Sequence, residues 1–315
     1  MKKIPVIIDA DPGVDDTAAI ALSLYDDYMD IQLITTVSGN LDIDSVTRNT
    51  LHVLELFKRT DIPVARGAVK PMCREPKDAK FIHQASGMGN YEPPDKVDTQ
   101  PIKKDAVEAM YSALKKHKTN KMDIIILGPH TNVGQLIEKH PDAKDMIRHI
   151  YCEGCAPYGW EGQGERWKHY VSFNASSDPE AFDIVARSGI PLTIVPSRIG
   201  RDVTNFTEEE VINIGRINDV GNFIYQMYSG FYEHGYVDKR IATNDTCAVL
   251  AMRFPDIFTT IPVTLEVDTK DMPGRTIMTP VEKSHIELVI NADREKLKQY
   301  FFTGVKKLDW LKIKI

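Results

Sequence analysis

Four aspartates stand close together in the stretch VIIDADPGVDD (6–16). Asp15 and Asp16 are typical of the first turn of a helix that follows a DPG turn. Asp9 and Asp11 have no such explanation, and four carboxylates packed together acquire raised pKa values unless a cation neutralises them. Ca²⁺ binds about six to eight oxygen ligands, whereas zinc prefers the His and Cys ligands that this stretch lacks. The stretch therefore predicts a calcium site, with magnesium as the alternative.

A second interpretation of the same residues is a phosphatase site, with Asp9 as the nucleophile and Asp11 as the acid two positions later. In that pattern Thr or Val follows, but here the position after Pro12 is Gly13. The sequence also has no clear lysine-plus-acid pair downstream. Because short motifs of this kind match by chance, the metal site is the preferred interpretation.

Strands and helices alternate along the chain, and this order predicts where the aspartates lie. The short β-branched runs are PVIIDA, IQLITTVSG, IPVARG, MDIIILG, HIYCEG and PLTIVP. The helical patterns cover 15–25, 44–58, 131–139, 178–188 and a helix-rich stretch from about 207 to 253. This alternation is typical of a mostly parallel sheet, and the apolar runs VII, IIIL and LTIV are typical of strands buried on both faces.

The C-terminal part follows a different pattern. Residues 262–290 predict two or three later strands at an antiparallel edge, before a final helix near 293–307. We therefore predict an α/β fold with an open, mostly parallel sheet, helices on both faces and a Rossmann-like core, in one domain over residues 1–315. Ligands of such sheets bind beyond the carboxyl ends of the strands, where Asp11, Asn40 and the GPHTN segment are expected.

The overall composition argues against several classes of protein. The net charge is -6 with acidic and basic residues interspersed, which does not suit a nucleic-acid binder. No apolar run approaches the ~20 residues of a membrane-spanning helix, and no signal-peptide core precedes the acidic cluster. The cysteines are too few for a disulfide scaffold, and the Cys152–Cys155 pair has redox or zinc spacing but lacks a second pair. We expect a cytoplasmic protein without a nucleic-acid or membrane partner.

The segment DADPGVDD (9–16) resembles the DxDPGxDD signature of the inosine–uridine-preferring nucleoside hydrolases. Further segments follow in the family's order across nearly the whole chain: TTVSGN (35–40), HQASGMGN (83–90), LGPHTN (127–132), FNASSDPEA (173–181) and NDTCAVLA (244–251). Agreement at six separate places is difficult to explain by chance. The resemblance implies the nucleoside hydrolase fold and Ca²⁺-dependent hydrolysis of the N-glycosidic bond of ribonucleosides, which gives ribose and free base.

The resemblance also implies a ligand set for the metal. One Ca²⁺ per chain would be held by the carboxylates of Asp11, Asp16 and Asp245 and by the backbone carbonyl of Leu127. Hard-oxygen sites of this kind leave positions for a water and for the 2′ and 3′ hydroxyls of a ribose. Asp11 would accept a proton from the metal-bound water, which attacks the anomeric carbon as the glycosidic bond breaks.

Three further residues are expected at the sugar. Asp15 and Asn40 match residues of the family that bind the ribose hydroxyls, and Asn174 matches one that contacts the sugar. Without the resemblance, the two asparagines would be read as loop or capping amides.

The resemblance weakens where the leaving base must be activated. Many members have a histidine immediately before the last metal aspartate, but this sequence has Asn244. An amide donates hydrogen bonds but cannot transfer a proton at neutral pH. The other candidates are His83, which matches a histidine near the base, His234, and the pair Tyr228 and Tyr232, which are four apart and so share a helix face.

The second departure concerns the 5′ end of the sugar. Before FNASSDPEA the family usually has an asparagine and a glutamate that bind the 5′-hydroxyl, whereas this sequence has Arg166 and Ser172. Arginine suits phosphate, so one hypothesis is a phosphorylated or ADP-ribose-like substrate under a flap formed by residues 158–170. The preferred alternative is that Arg166 pairs with Glu161 or Glu165 on an exposed loop and that ordinary nucleosides are the substrates.

One alternative function and one expectation about assembly concern the whole protein. The missing acid at position 244 supports a ribose- or nucleotide-binding protein with little catalysis. However, the predicted general base and the predicted metal ligands are all present, which favours an enzyme. Members of the family form dimers or tetramers, so a homodimer or homotetramer is implied by the resemblance only.

Overall fold

The computed structural model describes residues 3–160, 164–233 and 240–308, with the side chains of 231–233 left out. In the described residues, the strands in chain order are β1 (Ile4–Ala10), β2 (Met29–Thr36), β3 (Val64–Arg66), β4 (Met122–Ile126), β5 (Ile147–Glu153), β6 (Leu192–Val195), β7 (Phe206–Thr207), β8 (Arg240–Ile241), β9 (Phe258–Val267), β10 (Thr276–Pro280) and β11 (Ile286–Ala292). β7 and β8 form a small antiparallel ladder of their own, and the remaining strands form one large sheet.

The large sheet has the order β10-β9-β11-β6-β5-β4-β1-β2-β3. The strands from β11 to β3 in this order pair in parallel, whereas β9 pairs antiparallel with both β11 and β10. The predicted α/β class, with a mostly parallel sheet and a late antiparallel edge, is therefore confirmed.

The described helices pack on the two faces of this sheet. They are α1 (Val14–Ser23), α2 (Ile43–Leu56), α3 (Lys80–His83), α4 (Ala106–Lys116), α5 (Thr131–Lys139), α6 (Glu165–Lys168), α7 (Phe173–Ser177), α8 (Pro179–Ala186), α9 (Glu208–Gly215), α10 (Asp219–Glu233), α11 (Asn244–Arg253) and α12 (Arg294–Lys307), with 3₁₀ turns at Pro141–Met146 and Pro255–Ile257 and a π-helical turn at Ile199–Val203.

Alternate residues of the central strand β1 point to opposite faces, because side chains of a strand alternate with a period of two. Val6 and Ile8 join the apolar cluster that contains residues of α1, α2, α10, α11 and α12. Ile7 joins the cluster that contains residues of α4, α5 and α8. This explains the uninterrupted apolar run in β1, since both faces of the strand are buried.

The carboxyl ends of the parallel strands meet at one edge of the sheet. β1, β4, β5 and β6 lie next to one another there, and the DADPG, LGPHT and YCEGC segments follow directly from the first three of these strands. No helix among the described residues is long and apolar enough to cross a membrane.

Candidate active site

A group of buried carboxylates lies at this edge of the sheet. One oxygen from each of Asp15, Asp16 and Asp245 lies within 4.8 Å of the others. Asp15 and Asp16 come from the first turn of α1 and Asp245 from the first turn of α11, where helix dipoles favour negative charge. Burial and, to a smaller extent, the charge of Asp15 raise the pKa of Asp16 to about 6. The same two causes raise the pKa of Asp245 well above its ordinary value. An oxygen-only group of this kind can hold a hard metal ion.

Asp11 lies beside this group and has one oxygen without a partner. Its Oδ2 accepts the backbone N–H of Asn40 at 2.6 Å. Its Oδ1 is buried without a hydrogen-bond partner among the described residues. Burial and the charge of Asp16 raise the pKa of Asp11 well above its ordinary value. A buried, unpaired carboxylate oxygen is costly, and a cation would relieve that cost.

Two glycines make the space that the Asp11 carboxylate occupies. A Cβ added to Gly39 would lie 2.1 Å from Asp11 Oδ2, and one added to Gly128 would lie 2.6 Å from Asp11 Oδ1. These glycines belong to the TTVSGN and LGPHTN segments, which follow β2 and β4. The two segments therefore require glycine because they close on Asp11.

Hydrogen bonds from backbone and side chains fix Asp16. Its Oδ1 accepts the N–H of Asp11 at 3.2 Å, and its Oδ2 accepts the N–H of Gly13 at 3.1 Å and Nδ2 of Asn40 at 3.1 Å. Asn40 also donates from Nδ2 to the carbonyl of Asp11 at 3.1 Å. Asn40 thus joins the turn after β2 to the acidic turn after β1.

Asn174 connects the carbonyl of Leu127 to a second carboxylate. Its Nδ2 donates to the Leu127 carbonyl at 2.6 Å and to Oε2 of Glu153 at 3.0 Å. Ser197 donates its hydroxyl to Oε1 of Glu153 at 2.8 Å, and burial raises the pKa of Glu153 to about 8. This wall of the site is built from the ends of β4, β5 and β6.

Asp9 has a structural environment that differs from that of Asp11. Its Oδ1 accepts Oγ1 of Thr35 at 2.5 Å and Nδ2 of Asn132 at 2.8 Å, and the residue is fully buried. Burial raises the pKa of Asp9 to about 7. These two hydrogen bonds tie Asp9 to β2 and α5, and the phosphatase interpretation stays the less favoured prediction.

The orientation of His83 is set by a backbone donor. Its Nδ1 accepts the N–H of Val14 at 3.1 Å, so in the neutral ring the proton is on Nε2. Burial lowers the pKa of His83, which favours this neutral form. Asn244 stands at the start of α11 and lines the same pocket as His83, and its Oδ1 is buried without a hydrogen-bond partner among the described residues.

Several of these side chains line one open pocket. Its walls include many of the polar residues that the sequence predicted for the site, namely Asp15, Asn40, His83, Asn174, Asn244 and Asp245, together with Leu127. A pocket lined by carboxylates and by amide and imidazole groups suits a polyol attached to a heterocycle.

Residues 6–299 match the family described as inosine-uridine preferring nucleoside hydrolase. The chain belongs to this family. It is therefore an enzyme that cleaves the N-ribosyl bond of nucleosides, and the identification from the sequence is confirmed.

Relatives of this nucleoside hydrolase are similar over most of their length. The non-specific ribonucleoside hydrolase RihC of Escherichia coli O1:K1 / APEC is 33% identical over 271 residues, which cover 85% of each chain. A RihC from Klebsiella pneumoniae is 33% identical over 273 residues.

Two solved structures also superpose closely on this hydrolase. The plant nucleoside hydrolase PpNRh1 has a TM-score of 0.87 at 26% identity and covers 97% of this chain and 99% of its own. The purine-preferring ribonucleoside hydrolase of Gardnerella vaginalis has a TM-score of 0.85 at 26% identity, with 96% and 98% covered. The nucleoside hydrolase fold is thus shown for the chain.

The closely spaced acidic oxygens of the hydrolase overlap with the predicted metal ligands, which stay a prediction. The sequence predicted Asp11, Asp16, Asp245 and the Leu127 carbonyl, whereas the closely spaced oxygens belong to Asp15, Asp16 and Asp245. The Oδ2 atom of Asp11 instead accepts a hydrogen bond from the backbone N–H of Asn40.

Arg166 and Ser172, predicted for the 5′ end, do not line the pocket. Ser172 caps α7, since its Oγ accepts the N–H of Ala175 at 3.3 Å and donates to the Gly154 carbonyl at 2.5 Å. The side chain of Arg166 is 54% exposed, and its Nη1 lies 3.9 Å from Oδ1 of Asp202. Arg166 thus lies in the short helix α6, near Asp202.

The remaining predicted residues lie further from the pocket or outside the description. Tyr228 is fully buried behind the pocket wall, where burial and the charges of Asp15 and Asp245 raise its pKa. The side chain of Tyr232, together with His234 and residues 161–163 of the predicted flap, lies outside the described residues. Cys152 and Cys155 are buried in the core with free thiols.

Sequence reasoning missed several pocket residues, namely Glu153, Tyr170, Phe173, Ser197 and Arg201. Glu153 and Ser197 stand at or just after the ends of β5 and β6, where a parallel sheet collects ligand-binding side chains. That rule was available from the sequence for Glu153, which ends the predicted strand HIYCEG. Arg201 comes from an irregular turn, which has no sequence pattern of its own.

Proposed function

We propose that the chain catalyses the Ca²⁺-dependent hydrolysis of ribonucleosides to ribose and free base, with Asp11 as the general base. The observation that carries the proposal is the buried group of Asp15, Asp16 and Asp245 beside an Asp11 oxygen that has no hydrogen-bond partner among the described residues. Raised pKa values at Asp11, Asp16 and Asp245 are expected for carboxylates that await a cation.

The donor set fits a hard divalent cation. Every candidate ligand is an oxygen, from Asp11, Asp15, Asp16, Asp245 and the Leu127 carbonyl, which suits calcium or magnesium better than zinc. When bound, the cation would lower the pKa of the attacking water and fix the ribose hydroxyls. Calcium is proposed over magnesium because it tolerates an irregular set of oxygen ligands, whereas magnesium demands octahedral geometry.

The chain's own residues would divide the remaining work. Asp11 accepts the proton of the attacking water, while the neighbouring carboxylates stabilise the positive charge that develops on the ribosyl group. Asp15, Asn40 and Asn174 line the pocket and would hold the sugar hydroxyls. On the other side, His83 Nε2–H and the amide of Asn244 would donate hydrogen bonds to the base.

Two alternatives remain as proposals of lower rank. A 5′-phosphorylated or ADP-ribose-like substrate would need a cation at the 5′ end, and Arg166 is exposed and outside the pocket lining. A binding protein with little catalysis would not need the Asp11 carboxylate. The first alternative predicts that a phosphorylated compound is the preferred substrate, and the second predicts no turnover, so one assay separates them.

The test is the release of ribose, or ribose 5-phosphate, from inosine, uridine, nucleoside 5′-monophosphates and ADP-ribose, with and without a calcium chelator. We expect chelator-sensitive release of ribose from the nucleosides, restored by Ca²⁺. Preferred cleavage of a phosphorylated compound would favour the 5′-substituted alternative. Tight ribose binding in calcium without release from any compound would favour the binding protein.

Cytoplasmic location and a homodimer or homotetramer belong to the same proposal. The location rests on the small number of cysteines, which fits a reducing compartment, and the assembly rests on the resemblance. Light scattering on the purified protein checks the assembly, and fractionation of the source cells checks the location.

A further inference from the structure

The departing base needs stabilisation that the carboxylates cannot give. Under the proposed function, on which this inference rests, the electron pair of the glycosidic bond moves to a base nitrogen and positive charge develops on the ribosyl group. Asp15 and Asp245 favour that positive sugar but disfavour a negatively charged base. The base side of the pocket therefore requires a proton donor or a fixed positive charge.

The neutral groups on that side are poor proton donors. The amide of Asn244 cannot transfer a proton at neutral pH. His83 uses Nδ1 to accept the N–H of Val14, so it becomes a cation only by losing that hydrogen bond. Both residues can orient the base, but neither carries charge in the geometry observed.

Arg201 brings a permanent charge to this pocket. It belongs to the π-helical turn Ile199–Val203, and a Cβ added to Gly200 would lie 2.2 Å from Asn244 Oδ1, so the turn touches the start of α11. The guanidinium lies over the ring of Tyr170, 5.6 Å from its centroid. Among the pocket-lining residues that the structure describes, Arg201 is the one arginine or lysine.

The turn that carries Arg201 is held at both ends. The N–H of Thr204 donates to the Ile199 carbonyl at 2.9 Å, and Nδ2 of Asn205 donates to the carbonyl of Arg201 itself at 2.6 Å. Burial lowers the pKa of His83, and the positive charge of Arg201 lowers it further; at Glu153 the same charge opposes the burial that raises the pKa. The guanidinium is thus held within electrostatic reach of both the base-side histidine and the wall formed by β5.

We propose that the guanidinium of Arg201 is a catalytic group that stabilises negative charge on the departing base. Its charge is permanent, so bond cleavage needs no proton donor in the transition state. Water adds its hydroxyl to the anomeric carbon, and the proton that Asp11 accepts from that water finally reaches the base nitrogen. The atoms therefore balance as ribose and neutral base.

The test compares two leaving groups in the same variant. Inosine and uridine have bases that depart poorly as anions, whereas 4-nitrophenolate is a stable anion and departs from 4-nitrophenyl β-D-ribofuranoside without help. In Arg201→Met we expect kcat/KM to fall about 10²-fold for the nucleosides, as for removal of one preorganised donor, and only a few-fold for the nitrophenyl riboside. Arg201→Gln should behave in the same way.

Arg166→Met is the matched control, because Arg166 is a nearby arginine outside the pocket lining, and both substrates should keep their wild-type rates. The ratio of the two rates in one variant does not depend on how much protein is folded. Equal losses for both substrates, or no loss, would overturn the proposal. Recovery of nucleoside cleavage in the double variant Arg201→Met/Glu153→Gln would also overturn the proposal, because it would mean that Arg201 only balances the charge of Glu153. A wild-type protein that cleaves neither substrate would instead contradict the proposed function.

Discussion

Asp9 and Asp11 are two residues apart in one strand-to-helix turn, yet their surroundings assign them different roles. Asp9 is fully buried, its Oδ1 accepts hydrogen bonds from Thr35 and Asn132, and its Oδ2 has no hydrogen-bond partner among the described residues. Asp11 also has one oxygen without a hydrogen bond among the described residues, but it lies beside Asp16 and Asp15, and burial and the charges of these two aspartates raise its pKa. The first carboxylate therefore organises the fold, whereas the second belongs to the acidic group and is the proposed general base.

Substituting each aspartate should separate these roles. In Asp11→Asn, kcat at saturating calcium should fall about 10²- to 10⁴-fold because the general base is lost. The metal-free variant should unfold at the same or a higher temperature than the wild type, because a neutral amide replaces a buried charge beside Asp16. Steady-state kinetics and thermal unfolding measure the two effects.

Asp9→Ala is the contrasting variant. It leaves Thr35 and Asn132 with buried donors that lack a partner, which should lower the free energy of unfolding by about 1–3 kcal/mol. Full activity in Asp11→Asn, or an unchanged stability in Asp9→Ala, would contradict this division of roles.

The sequence identified the acidic residues of the site better than its remaining walls. Asp15, Asp16 and Asp245 are marked by clustering and by a resemblance that depends on local motifs. Glu153 and Arg201 are isolated in sequence and reach the pocket only because the ends of β5 and β6 and an irregular turn meet there. Local patterns cannot predict such a meeting, since it depends on the strand order of the sheet.

At the scale of elements, the loops after β2 and β4 close on the acidic turn after β1. Gly39 and Gly128 are needed in these loops because any side chain would overlap the Asp11 carboxylate. The two loops therefore position the carboxylate of Asp11, the proposed general base.

Gly128→Ala should show this effect. The added Cβ would lie 2.6 Å from Asp11 Oδ1, so the carboxylate or the loop must move. We expect weaker calcium binding, measured by titration calorimetry, and a fall in kcat of about 10²-fold, as expected when a catalytic group is misplaced. The far-ultraviolet circular dichroism should not change, since the overlap is local.

Gly189→Ala is the control for this substitution. Gly189 has a φ of +78° and no atom within 4 Å of an added Cβ. The variant should lose about 1 kcal/mol of stability from backbone strain and keep its activity. Equal activity losses in both variants would show that the effect at Gly128 is not specific to the site.

Most elements could be predicted because their patterns are strong. The helix predicted at 131–139 is observed at Thr131–Lys139, and the final helix and the late antiparallel strands are also present. Helix α4 and the short turns around Arg201 were not predicted. In α4 the buried Val107, Met110 and Leu114 have helical spacing, so its pattern was present in the sequence and was overlooked, whereas the turns around Arg201 are too short to show a period.

At the scale of the whole molecule, the site stores electrostatic free energy that a cation would release. Burial and neighbouring charges raise the pKa of Asp16 to about 6 and raise the pKa values of Asp11 and Asp245 in the same direction. The ordinary pKa of an unfolded aspartate is about 4. Between about pH 4 and about pH 6 these carboxylates of the metal-free folded protein therefore hold protons that the unfolded chain has released.

The sign of the pH dependence follows from this difference. Stability falls with rising pH wherever the folded state binds more protons, so these carboxylates destabilise the metal-free protein as the pH rises from about 4 through about 6. Buried histidines act in the opposite direction, since burial lowers the pKa values of His83, His130 and His149. A comparison with and without calcium at each pH removes the contribution of histidines whose protonation the metal does not change.

We therefore predict that stabilisation by calcium increases with pH. At about pH 5 protons compete for the carboxylates, whereas at about pH 8 the ionised group is ready to bind the metal. At a calcium concentration 100-fold above the Kd, stabilisation should reach about 2.7 kcal/mol at the higher pH and be smaller at the lower one. Thermal unfolding at both pH values, with calcium or with a chelator, measures this difference. An equal or larger effect of calcium at about pH 5 would mean that the metal binds elsewhere than at Asp11, Asp16 and Asp245, and a variant Asp16→Asn that still gains the full stabilisation would lead to the same conclusion.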